Sequence, residues 1–267
     1  MTARRHILFS CEGSRLVGTL DEAAGTCGLV IVTGGNETRA GAWNGQALFA
    51  ARIAKAGWPV LRFDRRGVGD SEGENGEFRA NGPDIAAAIA AFREACPQIT
   101  RIVALGNCDG AAALMLAQGR GCDALILSNP WTIEDDEGDV LAPGVARDHY
   151  RRRLRDPAAI RRLLSGQVSP LKLGRSLLGL WRKPAREAPR GSLLDELVAG
   201  IEGFGGPVRF LVAERDRTGL TFLDRWAKDD ARIRRCARAT HSYVEPDAQE
   251  WLQAQTCEVL GAMRAEG

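Results

Sequence analysis

The sequence predicts an α/β fold, a mainly parallel sheet with helices on both faces, interrupted late in the chain by a basic helical insertion. Three observations predict it. Short apolar runs bounded by turn residues alternate with longer stretches of helical periodicity, the pattern of strand–helix–strand units. The length of 267 residues, with 45% hydrophobic and 26% charged, suits one domain with a sizeable core. Finally, Gly106-Asn107-Cys108-Asp109-Gly110 joins an apolar run to a helix-forming stretch, where the chain has to reverse sharply.

The elements follow in order. Residues 7–11 and 15–20 read as an antiparallel hairpin turned at Gly13-Ser14 and set at one edge. Leu29-Val30-Ile31-Val32 is apolar without alternation, as a strand covered on both faces must be, and a helix over 47–56 follows. Val60-Leu61-Arg62-Phe63 is the next strand, with a helix over 83–95, and Ile102-Val103-Ala104-Leu105 leads into a helix over 111–118. After Ala124-Leu125-Ile126-Leu127 the alternation stops for about 70 residues of arginine-rich helical text, then resumes at Val208-Arg209-Phe210-Leu211-Val212. A helix over 222–227 and a final one over 246–263 complete the chain. The organisation is therefore a core of 1–131 and 207–267 with a cap inserted at 132–206.

Composition excludes several classes. No segment reaches the ~20 apolar residues of a membrane span, and the apolar run near the start is too short for a signal peptide, so a cytoplasmic location is expected. Seven cysteines form no C-x-x-C pair and no Cys/His cluster, so neither zinc nor a disulfide framework is expected, and six of them read as small buried hydrophobes. The G-x-G-x-x-G spacing of a dinucleotide site is absent, and no cofactor is expected.

Cys108 is the seventh cysteine. Glycines on either side let the backbone close while the central side chain stands out alone, and the helix that begins just after it aims unpaired N–H groups and a positive dipole end at the sulfur. That setting favours thiolate over thiol. A small cysteine packed into a glycine-rich turn presents the same five residues, so other segments have to decide.

Two of them do. Phe63-Asp64-Arg65-Arg66-Gly67-Val68-Gly69-Asp70-Ser71 resembles the D-x-R-G-x-G-x-S turn of α/β-hydrolases, and Thr33-Gly34-Gly35-Asn36-Glu37 stands where they keep an oxyanion loop. Together with the cysteine at 108 the resemblance to the α/β-hydrolase superfamily spans nearly the whole chain. Within it, the cysteine, Asn129-Pro130-Trp131 and the basic insertion resemble the hydrolase 1 proteins associated with exosortase A and exopolysaccharide gene clusters.

The resemblance implies an α/β-hydrolase fold and a catalytic triad in the order nucleophile, acid, base. Cys108 is then the nucleophile. Of three histidines, His6 opens the edge strand and His149 lies in the insertion, whereas His241 precedes the final helix, where the family keeps its base. Asp216, just after the strand ending at Val212, matches the place of the acid; Glu214 and the Asp135-Asp136 pair are alternatives. The oxyanion hole combines the N–H of Asp109 with that of Gly35 or Asn36. Asp64, Arg66, Gly67, Gly69 and Ser71 read as a turn-shaping set rather than a reacting one.

Charge adds one more expectation. The formal net charge is +2, yet residues 147–190 hold 13 Arg and Lys against 3 acids, a net of +10 that leaves −8 elsewhere. Such a segment is what a solvated helical surface carries. It also suits capture of an anionic, small or carrier-bound acyl substrate through Arg151, Arg152 and Arg153, or docking on anionic lipid through 171–182. No nucleic-acid motif accompanies it, and no nucleic-acid partner is expected. The function expected is hydrolysis of an ester or thioester through a Cys108 acyl-enzyme. Acyl transfer by the same thiol and non-catalytic binding of an anionic ligand are the alternatives.

Overall fold

The computed structural model describes residues 3–133, 192–227 and 229–265. The segment 134–191, and with it Asp135, Asp136, His149, Arg151, Arg152, Arg153 and the stretch 171–182, lies outside the described residues. Eight strands form one sheet: β1 (Arg4–Cys11), β2 (Ser14–Asp21), β3 (Cys27–Val32), β4 (Val60–Phe63), β5 (Arg101–Asn107), β6 (Ala124–Ser128), β7 (Val208–Ala213) and β8 (Ile233–Cys236). Their order is β1-β2-β4-β3-β5-β6-β7-β8. β2 is antiparallel to both β1 and β4, and every other pairing is parallel.

Period two explains how the sheet is covered. In β3 every residue is buried, and successive side chains go to opposite layers. Val30 and Val32 join the core built with α2 (Gly82–Ala95), α3 (Asp109–Leu116) and α4 (Leu193–Glu202), where Phe92, Leu114 and Leu197 are fully buried. Leu29 and Ile31 join the opposite core, with Phe49 and Ile53 of α1 (Gly45–Lys55) and Leu260 and Met263 of α6 (Pro246–Ala265). Each buried Leu, Ile or Phe contributes ~1.5–3 kcal/mol of transfer free energy. The two layers together fix the sheet's height, and with it where the strand ends lie.

The structure departs from the sequence expectations in places. The hairpin turns at Glu12-Gly13 rather than Gly13-Ser14, because Ser14 is already paired with Cys11; Glu12 has φ 46° and Gly13 83°, the two positive values of a type I′ loop. The helix expected over 222–227 is α5 (Arg217–Arg225), which begins earlier because the Asp216 side chain accepts the Gly219 N–H at 3.0 Å and caps it. β8 was not foreseen, since Arg234 and Arg235 give it an exposed polar centre. α4 falls inside the stretch read as insertion, yet a Ser192/Asp195 capping box starts it and Leu193, Leu197 and Ile201 enter the same core as α3. Of the six cysteines read as buried, Cys11, Cys27 and Cys96 are, whereas Cys122, Cys236 and Cys257 are partly exposed at the periphery of the layers. Among the described residues no helix is long and apolar enough to cross a membrane.

Candidate active site

Cys108 sits at the top of the sheet, between β5 and α3, with φ 57° and ψ −124°. A non-glycine residue held at positive φ is strained, and the surroundings have to impose it. They do so through backbone bonds: the Cys108 N–H donates to Ser128 O at 3.0 Å, and the Cys108 carbonyl accepts from Ala111, Ala112 and Trp131. The flanking glycines are obligatory for space. A Cβ on Gly106 would lie 2.6 Å from the Gly110 carbonyl, and one on Gly110 would lie 2.5 Å from Val32 O. The thiol is thus held out, partly exposed, over the N-terminus of α3.

The structure brings His241 and Asp216 to the same place. His241 Nδ1 is 2.9 Å from Asp216 Oδ2, and the Asp216 side chain is only 8% exposed. The carboxylate therefore spans two donors, the imidazole and the Gly219 N–H that it caps. The Cys108 side chain is the second group that acts on the imidazole. The Asp216 bond, then the Cys108 bond, raise the His241 pKa from 6.5 to about 10 against the opposing effect of burial. Of the two acids considered, Asp216 is the one bonded to the imidazole; the Glu214 backbone N–H donates to Cys236 O beside β8. His6 lies far away on β1, bonded through Nδ1 to Thr19 Oγ1 at 3.0 Å.

Sequence reasoning missed the polar frame behind these three residues. Asn129, at φ 43° just past β6, accepts the Ala213 N–H at 2.8 Å and donates to Asn107 Oδ1 at 3.1 Å and Ser128 Oγ at 3.3 Å. Ser128 Oγ meets the Tyr243 hydroxyl at 2.9 Å, and Asn107 Nδ2 lies 3.4 Å from both His241 Nε2 and His241 O. One chain of bonds thus ties the ends of β5, β6 and β7 to the histidine loop. Burial drives the Tyr243 phenol pKa far up, so it stays a neutral hydrogen-bonding group. An asparagine directly after an apolar strand and before Pro130 was the available signal, since Asn tolerates positive φ.

The expected oxyanion loop is present but occupied in an unexpected way. Gly34 packs so closely on the turn that a Cβ there would lie 2.6 Å from Asn107 O and 3.1 Å from the Cys108 Cβ. The Gly35 N–H, however, already donates to Asp109 Oδ1 at 2.6 Å. Burial raises the Asp109 pKa, while the Gly35 N–H and the charge of Arg65 pull it down. Arg65 is 1% exposed and donates to the Gly35 carbonyl from below, a support that sequence reading did not anticipate. Asn36 is exposed on the same loop, its side chain held by Asn75 Nδ2 at 2.9 Å. Glu37 follows, its pKa raised by burial and lowered by the nearby His241.

The 63–71 turn supports the loop from behind. Asp64 is fully buried and accepts the backbone N–H groups of Arg39 at 2.6 Å and Asp70 at 3.0 Å, together with the Arg39 guanidinium. Ser71 Oγ donates to Asp64 O at 2.7 Å, and Arg66 binds Asp84 at 2.5 Å and Glu12. Gly67 and Gly69 adopt φ 68° and 58° in the same turn.

Comparison with known proteins agrees with this architecture. A sequence profile of the alpha/beta hydrolase family matches residues 29–254. The alpha/beta hydrolase GrgF from Penicillium sp. sh18 superposes with a TM-score of 0.65 at 18% identity over 98% of this chain and 99% of that one. An esterase of Pyrococcus furiosus gives 0.61 at 17% identity, covering 98% and 93%. Est1E from Butyrivibrio proteoclasticus, solved with ferulic acid bound, gives 0.58 at 16% identity, covering 97% and 98%. No match was found among curated proteins. The sheet order, the strained cysteine turn between β5 and α3, and the match over 29–254 lead to one conclusion: the chain belongs to the alpha/beta hydrolase family.

Proposed function

We propose that this protein hydrolyses an ester or thioester through a thioester acyl-enzyme on Cys108, with His241 as base and Asp216 as its orienting acid. The observation that carries the reading is the convergence of three residues: His241 is bonded to Asp216 at 2.9 Å through Nδ1 and lies beside Cys108, which stands strained at φ 57° in its turn. The imidazole serves as the base that takes the thiol proton, because the thiolate is the attacking form. The thiolate adds to the substrate carbonyl, and the oxyanion that forms is met by the Asp109 N–H at the start of α3 and by Asn36 on the facing loop. Gly35 joins them when the Asp109 carboxylate releases its N–H. One such donor is worth ~10²-fold or more in rate. His241 then protonates the departing alcohol or thiol, and water completes the cycle.

Esterases among the structural neighbours support this reaction class. The basic segment supports an anionic, small or carrier-bound substrate held by Arg151, Arg152 and Arg153, and the cysteine turn with Asn129-Pro130-Trp131 supports a role near extracellular polysaccharide production or protein sorting. Intact-mass analysis after mixing with a panel of acyl thioesters and aryl esters tests the central step. A one-acyl adduct is expected, absent in Cys108→Ala. An unmodified wild-type protein with every substrate refutes the reading, and an adduct that persists in Cys108→Ala refutes the assignment of the nucleophile.

A further inference from the structure

Beneath His241, between the 37–46 loop, α1 and α6, lies a cavity of about 60 Å³ that the acylation step does not use. Asn107, His241 and Tyr243 line it, together with Glu37, Gln46 and Arg52. Two buried atoms in this wall have no hydrogen-bond partner in the protein, Gln46 Oε1 and Arg52 Nε. Both residues are anchored by their other ends: Gln46 Nε2 donates to Glu37 Oε2 at 3.4 Å, and Arg52 Nη1 donates to Gln249 Oε1 at 2.7 Å. The site thus offers one unmet acceptor and one unmet donor, each on a fixed side chain.

Buried polar groups are almost always satisfied, and water is the small species that both gives and accepts. The volume is several times the ~10–15 Å³ that one ordered water needs. We propose that this cavity stores the water that hydrolyses the acyl-enzyme, delivering it to His241 from the side opposite α3. The inference rests on the Cys108 reading. In the step, His241 Nε2 takes a proton from the water while its oxygen bonds to the thioester carbonyl carbon. The C–S bond then breaks, its electron pair returns to Sγ, and the acid leaves. A dedicated water store biases the thioester toward hydrolysis over transfer to an added acceptor.

The test is pre-steady-state kinetics of Gln46→Met with an aryl ester. The methionine keeps the length and volume of the side chain but removes the acceptor. The burst of aryl alcohol reports acylation, the steady rate reports deacylation, and hydroxylamine serves as a competing nucleophile that does not need the cavity. The expected result is an unchanged burst rate and amplitude and a steady rate reduced roughly 2- to 12-fold, the worth of one net hydrogen bond. Turnover is expected to recover with hydroxylamine. Arg52→Met, measured with its melting temperature, is expected to change the same steady rate in the same direction. A wild-type steady rate in Gln46→Met overturns the water site. So does a burst rate that falls in proportion, which marks the cavity as an acyl pocket instead. Absence of an acyl adduct on the wild type, or its persistence in Cys108→Ala, overturns the Cys108 reading itself, and intact-mass analysis thereby distinguishes that failure from failure of the water site alone.

Discussion

Asp216 does two jobs with one carboxylate, and replacing it separates them. In Asp216→Asn the side-chain oxygen still caps α5 by accepting the Gly219 N–H, a bond of 3.0 Å in the native protein, because Asn is as good an N-cap as Asp. The amide cannot stabilise an imidazolium, and its N–H₂ faces Nδ1 wrongly. In Asp216→Ala both jobs are lost. The bond to be removed is charge-assisted, 2.9 Å long, with its acceptor 8% exposed, which places it at ~1.5–3 kcal/mol. The imidazole is 36% exposed, so solvent screening keeps the loss within that range rather than the full effect of the raised pKa.

At ~1.4 kcal/mol per tenfold, this predicts an acylation rate about 10- to 150-fold lower in both variants. Only Asp216→Ala is expected to lose a further ~1 kcal/mol of stability from the missing cap. The pH response follows in sign. A histidine raised from 6.5 to about 10 in the folded protein stabilises it fully below pH 6.5, and that stability drains away as the pH rises toward 10. In Asp216→Asn the largest cause of the raised His241 pKa is gone, so the window narrows from its upper end. Burst kinetics with an aryl ester from pH 5 to 10, together with denaturant melts of all three proteins, measure both. If Asp216→Asn acylates at the native rate with an unshifted alkaline limb, the carboxylate is only a helix cap and the argument fails.

Other consequences are open to direct measurement. Iodoacetamide is expected to label Cys108 before Cys11, Cys27, Cys96, Cys122 and Cys257, because burial pushes the Cys11 thiol up to about 11 and the Cys27 and Cys122 thiols up to about 12, and Cys96 and Cys257 are raised as well; peptide mapping that finds any of these five labelled before Cys108 contradicts this. Gly34→Ala puts a methyl 2.6 Å from Asn107 O and 2.8 Å from Asp109 Oδ1, and is expected to lower acylation at least tenfold with a circular-dichroism spectrum like the native one. Replacing Arg151, Arg152 and Arg153 by Gln is expected to lower kcat/KM for an anionic thioester and flatten its fall with added salt, leaving a neutral ester unaffected; equal responses of the two substrates remove the steering role.

What the sequence determined by itself was local. The strands lie in runs whose apolar character is continuous along the chain, and the turn at Cys108 needs Gly106 and Gly110 within four residues of each other, so both were legible without a partner. The choice of His241 came from family resemblance, and the structure brings it beside Cys108. The turn set around Asp64 was readable in part, because the Asp70 and Ser71 bonds close within a short loop, whereas those to Arg39 and Glu12 do not.

Tertiary structure decided everything that crosses strands. Asn107 meets His241 across 134 residues, Ala213 meets Asn129 across 84, and Ser128 meets Tyr243 across 115; these pairs exist because parallel pairing sets the ends of β5, β6 and β7 side by side. The selection of Asp216 over Glu214 depended on where β7 ends and α5 is capped, a matter of one turn of backbone. The same holds for the Gly35 N–H, which no spacing rule could assign to Asp109, since they stand 74 residues apart and meet only because β3 and β5 are hydrogen-bonded neighbours. A sequence records which groups a chain owns and how they repeat; which two of them share a hydrogen bond is settled by the packing of the layers that brings distant strand ends together.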